Sequence, residues 1–385
     1  MVRDSKSFAV GTMAGINPPV GAARFMVRLA RMGRLDSVLL VDHLIGVFPR
    51  AAWDTDFTPV AKAVRSPDEL FDFAPVLGHL AAGAGKVQLG VGVTDPHRRH
   101  PALLAQTFLT LAHLTAAPPI LGIGAGEREN LDPYGIAWDR PVDRLEEALQ
   151  VIRAALTATE PIDFAGRHYR IDGAPVDLTA PPDRMPQVWL GAHGPRMLEL
   201  TGRYADGWYP WETMSPQEYE RRLTVVRNAA RAAGRDPEAI VPAQMVSMVT
   251  APTEAGIRRL LRAPSVRYTA LFAPAAVWAR CGVKHPFGPD FRGLVDLMPH
   301  RLTRSEVREA IAQVTDDVVR EWLVVGTPAQ VLARLRELSD AGLRHAIVFP
   351  SGAMVSNADL AFGYGVVLWL AARLRRPVGT EGAET

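Results

Sequence analysis

Short apolar runs alternate with longer amphipathic stretches along almost the whole chain. Runs at 7–11, 37–41, 87–93, 120–124, 187–191, 207–210, 240–248 and 345–350 predict strands, because they are apolar and bounded by turn residues. Between and after them, 21–32, 68–81, 101–114, 142–157, 196–204, 215–233, 328–341 and 358–374 carry helical patterns. Strand–helix pairs repeated in this way predict parallel strands joined by crossover helices, and eight pairs are the arithmetic of a (β/α)8 TIM barrel. A doubly wound sheet is the competitor. It would place a Gly-x-Gly-x-x-Gly turn after the first strand, where this chain has Thr12-Met-Ala-Gly-Ile-Asn-Pro-Pro19. The close glycines of Gly122-Ile-Gly124-Ala-Gly126 are by themselves a weak dinucleotide signal and read as a barrel strand end.

Residues 101–126 contain no charged side chain, a length that a membrane span requires. Pro118-Pro119 divides them into a buried helix and a buried strand, since consecutive prolines cannot continue a helix. No membrane span is expected. The barrel is expected as one domain over 1–385, with long insertions at about 48–67 and 253–313 after the second and seventh strands. In the second insertion, Trp278, Cys281, His285, Phe287 and Phe291 suggest a rim that closes over a ligand, or alternatively an oligomer contact. The stretch 161–171 reads as a small hairpin.

Composition narrows the function. Across 385 residues the net charge is +2, too balanced for a protein that binds nucleic acid by neutralising phosphates. Cys281 is the only cysteine, which rules out an intramolecular disulfide and a Cys-based zinc site and suits a reducing cytosol. The N-terminal residues do not read as a signal peptide, so a cytoplasmic location is expected. Metal-binding, Walker and nucleophile-elbow motifs are missing, and no metal is expected.

In barrels of this kind the active site lies at the C-terminal ends of the strands. His43 follows a very apolar strand and titrates near neutral pH, which makes it the candidate for proton transfer; a structural histidine is the alternative. Asp42 is adjacent, although neighbouring strand residues point to opposite faces. Glu127 follows a glycine-rich strand end, where partial burial raises a carboxyl pKa and lets it donate a hydrogen bond. A loop salt bridge to Arg128 or Arg140 is the other reading. His193-Gly194-Pro195-Arg196 opens a helix whose N-terminus suits a phosphate, or is simply a βα loop.

The runs Ser37-Val-Leu-Leu-Val-Asp42-His43, Leu89-Gly-Val-Gly-Val-Thr-Asp-Pro96 and Leu121-Gly-Ile-Gly-Ala-Gly-Glu127 resemble the bacterial luciferase-like barrel superfamily. So do Leu190-Gly-Ala-His-Gly-Pro-Arg196 and Gly202-Arg-Tyr-Ala-Asp-Gly-Trp208, and the likeness covers most of the chain in order. The deazaflavin branch is most similar, above all the phthiodiolone dimycocerosate ketoreductases. The stretches that carry this likeness are Gly126-Glu-Arg-Glu-Asn-Leu-Asp-Pro-Tyr-Gly135 and Ala279-Arg-Cys-Gly-Val-Lys-His-Pro-Phe-Gly288.

The resemblance implies coenzyme F420 as cofactor, with FMN as the alternative, and His43 and Glu127 as catalytic residues. It implies a non-prolyl cis peptide at Gly92-Val93 behind the cofactor ring and a phosphate-side loop at Gly194, Pro195 and Arg196. Asp42, Thr94, Gly126, Asn130 and His193, at the same strand ends, complete the expected cofactor contacts. Where related sugar-phosphate dehydrogenases carry a Trp, this chain has Val47, which disfavours a sugar phosphate; Trp53 is the candidate replacement wall. The expected activity is hydride transfer from reduced F420 to a ketone or other electrophilic carbon of an apolar, lipid- or polyketide-like substrate, in a homodimer. An FMN-dependent monooxygenase and a non-catalytic deazaflavin-binding protein are the alternatives.

Overall fold

A computed structural model describes residues 8–375. Ser7 of the first predicted strand, the N-terminal residues read for a signal peptide and the two ends of the 1–385 domain lie outside the described residues. The strands are β1 Ala9–Ala14, β2 Ser37–Leu40, β3 Gln88–Thr94, β4 Ile120–Ile123, β5 Ile162–Ala165, β6 Arg170–Ala174, β7 Gln187–Leu190, β8 Gly207–Trp208, β9 Val241–Thr250, β10 Val324–Gly326 and β11 His345–Pro350. β1, β2, β3, β4, β7, β8, β9 and β11 pair in that order, all parallel, and β11 returns to β1, so the sheet closes into the (β/α)8 barrel. β8 is only two residues long. Met248 on β9 pairs with Pro350 of β11 and with Val324, so β10 occupies the flank of β9 that β8 leaves open.

Alternation along the strands sorts the side chains into two layers. Met13, Leu39, Ile120, Trp189, Tyr209, Ala243 and Ile347 pack together inside the barrel. Val38, Leu40, Leu121, Ile123, Val188 and Leu190 face the helices instead. The helices Gly21–Met32 and Pro101–Leu114 fall where the pattern puts them, and Phe73–Ala84 starts later than expected because Asp72 caps it, accepting from the Ala74 N–H at 2.9 Å. The hairpin β5–β6 is antiparallel and packs Phe164, Tyr169 and Ile171 on Ala148 and Val151.

The second insertion differs from a loop. It contains the helices Glu254–Leu261, Pro264–Ala270, Ala275–Arg280, Arg304–Ala312 and Asp316–Trp322, around a core of their own. The first insertion joins that core: the Phe48 ring lies about 6 Å from those of Trp53, Phe57, Tyr268 and Phe272. Trp278, expected at a rim, is fully buried and donates to the Ala270 carbonyl at 3.1 Å. His285 is also buried, stacked on Phe291 with 4.3 Å between ring centres. Burying these rings stabilises the insertion, so they are core residues and not a ligand rim. No helix among the described residues is long and apolar enough to cross a membrane.

Candidate active site

β2 and β4 run parallel, so the segments that follow them, carrying His43 and Glu127, open at the same end of the barrel. Asn130 ties the two segments together. Its Oδ1 accepts from the Leu44 N–H at 2.7 Å and the Ile45 N–H at 3.1 Å. Those backbone donors orient the amide, whose Nδ2 then donates to His43 Nδ1 at 2.8 Å and to Glu129 Oε1 at 2.9 Å. With Nδ1 accepting, a neutral His43 ring carries its hydrogen on Nε2, which has no hydrogen-bond partner among the described residues. Burial lowers the His43 pKa; Glu127 opposes that, Arg98 adds to it, and Asp42 and Asp95 oppose it more weakly. Near pH 7 the ring is therefore a neutral Nε2–H donor.

Two carboxyls stand beside it. Glu127 Oε2 is 3.9 Å from His43 Nδ1, and Glu129 Oε1 is 3.5 Å from it. Burial first, then the neighbouring Glu129, pushes the Glu127 pKa up to about 8. Glu129 is 1% exposed, and burial raises its pKa to about 7 despite a hydrogen bond with Glu127 that works the other way. The salt bridges that competed for Glu127 are not made: Arg128 binds Asp132 at 2.7 Å, and Arg140 lies 3.6 Å from Asp143. Ligand atoms of His43, Glu127 and Glu129 lie within 4.8 Å of one another, a spacing that suits a metal ion. The Asn130 amide already occupies Nδ1, the nitrogen nearest the carboxyls, so the group is arranged for sharing protons.

Asp42 and Thr94 are buried and hydrogen-bonded within the protein. Arg98 donates to Asp42 Oδ1 at 3.2 Å and Oδ2 at 3.0 Å, and to Asp95 Oδ2 at 2.5 Å, while Thr94 Oγ1 donates to Asp42 Oδ2 at 2.6 Å. This buried network braces β2 against β3, and the Asn130 amide is likewise fully engaged inside the protein. Arg98 and Glu129 escaped the sequence reading. Their only signals there are a basic residue three positions after Asp95 and the Glu-x-Glu spacing.

The floor between these residues is almost bare of side chains. The Gly92–Val93 peptide is cis, as the resemblance implied, and the β3–β4 register shifts between Val91 and Thr94. Gly122 sits beneath the shift, where a Cβ would come 2.3 Å from the Val91 carbonyl oxygen. Gly126 turns the chain with φ +86°. Val93 is the side chain nearest Gly124 and Gly191, so a planar group can lie flat there.

On the far side, Gly194 precedes the helix Pro195–Tyr204, and no side chain caps its first turn. Arg196 is bound to Asp143 and, at 3.0 Å, to Glu146. Its charge is thus already answered by two carboxylates, while no side chain caps the backbone N–H groups of the first turn. His193 Nδ1 lies 3.6 Å from Glu212. Burial favours protonating Glu212, but His193 and Arg222 outweigh it and hold its pKa at about 2. Trp53 faces inward to its own insertion, donating to the Val64 carbonyl at 2.8 Å and packing on Phe48, and Val47 packs on the same core.

An open depression of about 540 Å³ lies in the second insertion, where Phe287, Phe291 and Leu297 share its lining with Asp290, Asp296 and Arg301. Neither His43 nor Glu127 lines it. Nearby, the Arg292 guanidinium lies 5.7 Å from the centre of the Trp138 ring, in the segment after β4.

The family described as luciferase-like monooxygenases matches residues 8–345. The chain belongs to this family. It is 39% identical over 342 residues to the phthiodiolone/phenolphthiodiolone dimycocerosates ketoreductase of Mycobacterium tuberculosis, covering 88% of this chain and 90% of that one. It is 27% identical over 268 residues to the 5,10-methylenetetrahydromethanopterin reductase of Archaeoglobus fulgidus, covering 70% of this chain and 78% of that one. Among solved structures, an F420-dependent secondary alcohol dehydrogenase in complex with an F420-acetone adduct superposes with a TM-score of 0.73 at 20% identity, over 96% of this chain and 100% of that one. That likeness speaks for the barrel. Family membership and the ketoreductase relatives make this chain an oxidoreductase.

Proposed function

We propose that this luciferase-like enzyme is a coenzyme F420-dependent oxidoreductase that passes hydride to a ketone, or a similar electrophilic carbon, of an apolar substrate. The observation that carries the reading is the pairing of a neutral His43, oriented by Asn130, with Glu127, a carboxyl that keeps its proton near pH 7. Both stand at the end of the barrel whose floor is glycine backbone and Val93. The names of the relatives point the same way, toward ketone reduction and F420.

These residues fit the cofactor's chemistry. When bound, F420 supplies the hydride. Val93, with Gly124 and Gly191 beside it, gives its planar ring a surface with few bulky side chains, and the open N-terminus at Gly194 and Pro195 suits its phosphate. Glu127, when protonated, would offer a hydrogen-bond donor to a polar group of the bound cofactor. As negative charge grows on the substrate oxygen, the His43 Nε2–H donates to it.

A homodimer is part of the proposal. The adjacent helices Phe73–Ala84 and Pro101–Leu114 contain no Asp, Glu, Lys or Arg, and they expose Leu103 and Leu114, each about half accessible. A groove between them, lined by Ala74, Gly78, Thr107 and Leu114, would be covered by a second copy.

Fluorescence titration with F420 and with FMN tests the cofactor. Tight F420 binding with weak FMN binding supports the proposal, and the reverse order overturns it. His43→Ala should then lower kcat by on the order of 10²–10⁴-fold while F420 affinity stays close to wild type. Wild-type turnover in that variant would remove His43 from the mechanism.

A further inference from the structure

We propose that Glu127 and Glu129 form a carboxyl dyad holding one proton between them, in which Glu129 is the positioning residue that keeps Glu127 a hydrogen-bond donor at neutral pH. Glu127 itself is extended, with φ −126° and ψ 137°, and the single turn Arg128–Asn130 folds Glu129 back toward it. The turn buries Glu129 almost completely, while about a third of the Glu127 side chain remains accessible. Glu127 is therefore the more accessible member, and Glu129 acts through the groups it touches, Glu127 and the Asn130 amide.

Hydrogen-bond accounting points to the shared proton. Glu129 Oε1 accepts from Asn130, but the buried Oε2 has no donor. The donors nearby are spent. Both Asn130 amide hydrogens are used on His43 and Oε1, and the Arg98 guanidinium is committed to Asp42 and Asp95. Leaving a buried carboxylate oxygen unpaired is unfavourable, and a proton retained by one of the two carboxyls relieves it.

Charge gives the same answer. The groups that act on the pair include His43, held neutral, the cation Arg98 and the acid Asp95. Arg98 already faces two carboxylates and cannot neutralise two more. Two acids this close in a poorly solvated site lose their protons in separate steps, and the steps belong to the pair. The directions of both pKa shifts agree, Glu127 rising to about 8 and Glu129 to about 7.

The sharing of the proton is a property of the free protein; only its consequence for catalysis rests on the F420 reading. The test therefore begins without cofactor, by carbon-13 NMR titration of the Glu carboxyls in the full chain. Wild type should show a carboxyl midpoint between about pH 7 and 8. Glu129→Gln should lower the midpoint of Glu127 by at least a pH unit, and Glu129→Asp should restore most of it. Should Glu129→Gln fail to fold, Glu129→Met gives the same measurement, in which the midpoint of Glu127 should again fall.

With F420 and a ketone, the alkaline limb of the kcat profile should move to lower pH in Glu129→Gln by the shift seen in the titration. Two wild-type carboxyls titrating in the ordinary range near pH 4–5, or a Glu127 midpoint indifferent to residue 129, would overturn the dyad. An intact dyad in a protein that binds no F420 would instead count against the cofactor alone.

Discussion

Asn130 shows how much one side chain decides at this site. Its carbonyl oxygen holds the Leu44 and Ile45 N–H groups, and its amide holds His43 and Glu129. Asn130→Ala removes all four bonds, and at about 1 kcal/mol net for each it should cost roughly 2–4 kcal/mol of stability, readable in urea unfolding. It also frees the His43 ring to rotate or change tautomer, so turnover should fall further than cofactor affinity. A variant as stable as wild type would show that the amide is not the tie the geometry describes. The residue type and its place at a strand end were legible in the sequence. That its valences are spent inside the protein was not.

The raised carboxyls carry a stability signature with a definite sign. A carboxyl whose folded pKa lies above its unfolded value stabilises fully below the unfolded value, here 4.5, and loses that contribution as pH rises through the folded one. For Glu127 the window runs from about 4.5 to about 8. The Tm of Glu127→Gln, relative to wild type, should therefore rise between pH 5 and about 8 and level off above that in differential scanning fluorimetry. A gap that is constant over that range would mean that Glu127 is not held protonated.

At the level of elements, the β3–β4 contact sets the floor of the site. An Ala at position 122 would push its Cβ to 2.3 Å from the Val91 carbonyl oxygen, a backbone atom that cannot move aside without opening the strand pair. Gly122→Ala should lower stability by about 2–4 kcal/mol, as overpacking against backbone does. Gly365 is exposed within the helix Asn357–Leu374 and has no atom within 4 Å of a Cβ, so Gly365→Ala should raise stability by about 0.5–1 kcal/mol. Opposite signs in thermal melts are expected from the same chemical change. Long periodic helices such as Pro101–Leu114 were legible from the pattern. The helices Pro264–Ala270 and Ala275–Arg280 span about two turns, too few for a period to emerge, and they are held by burial of Tyr268 and Trp278.

For the whole molecule, the proposed dimer predicts a particle of twice the 41.9 kDa chain mass in light scattering. Placing a charge on the uncharged face, as in Leu103→Glu combined with Leu114→Glu, should shift it to monomer without loss of the barrel's circular dichroism. A wild-type monomer at micromolar concentration would end that proposal. The two insertions also belong to this scale. They are far apart in sequence yet share the core of Phe48, Phe57, Tyr268 and Phe272, so the walls of the depression rest on a second folded unit beside the barrel.

By itself the sequence determined the alternation of strands and helices, the barrel, and the presence of His43 and Glu127 at its mouth. Those are consequences of local period and of strand direction, which neighbouring residues carry among themselves. Only the tertiary structure decided that Glu129 turns inward, that Arg98 locks Asp42, that Arg196 is answered by Asp143 and Glu146, and that Trp278 is core. Each is a matter of which partner reaches a given atom, as when Asn130 meets His43 across 87 positions of chain, and no local pattern encodes a distance of that kind.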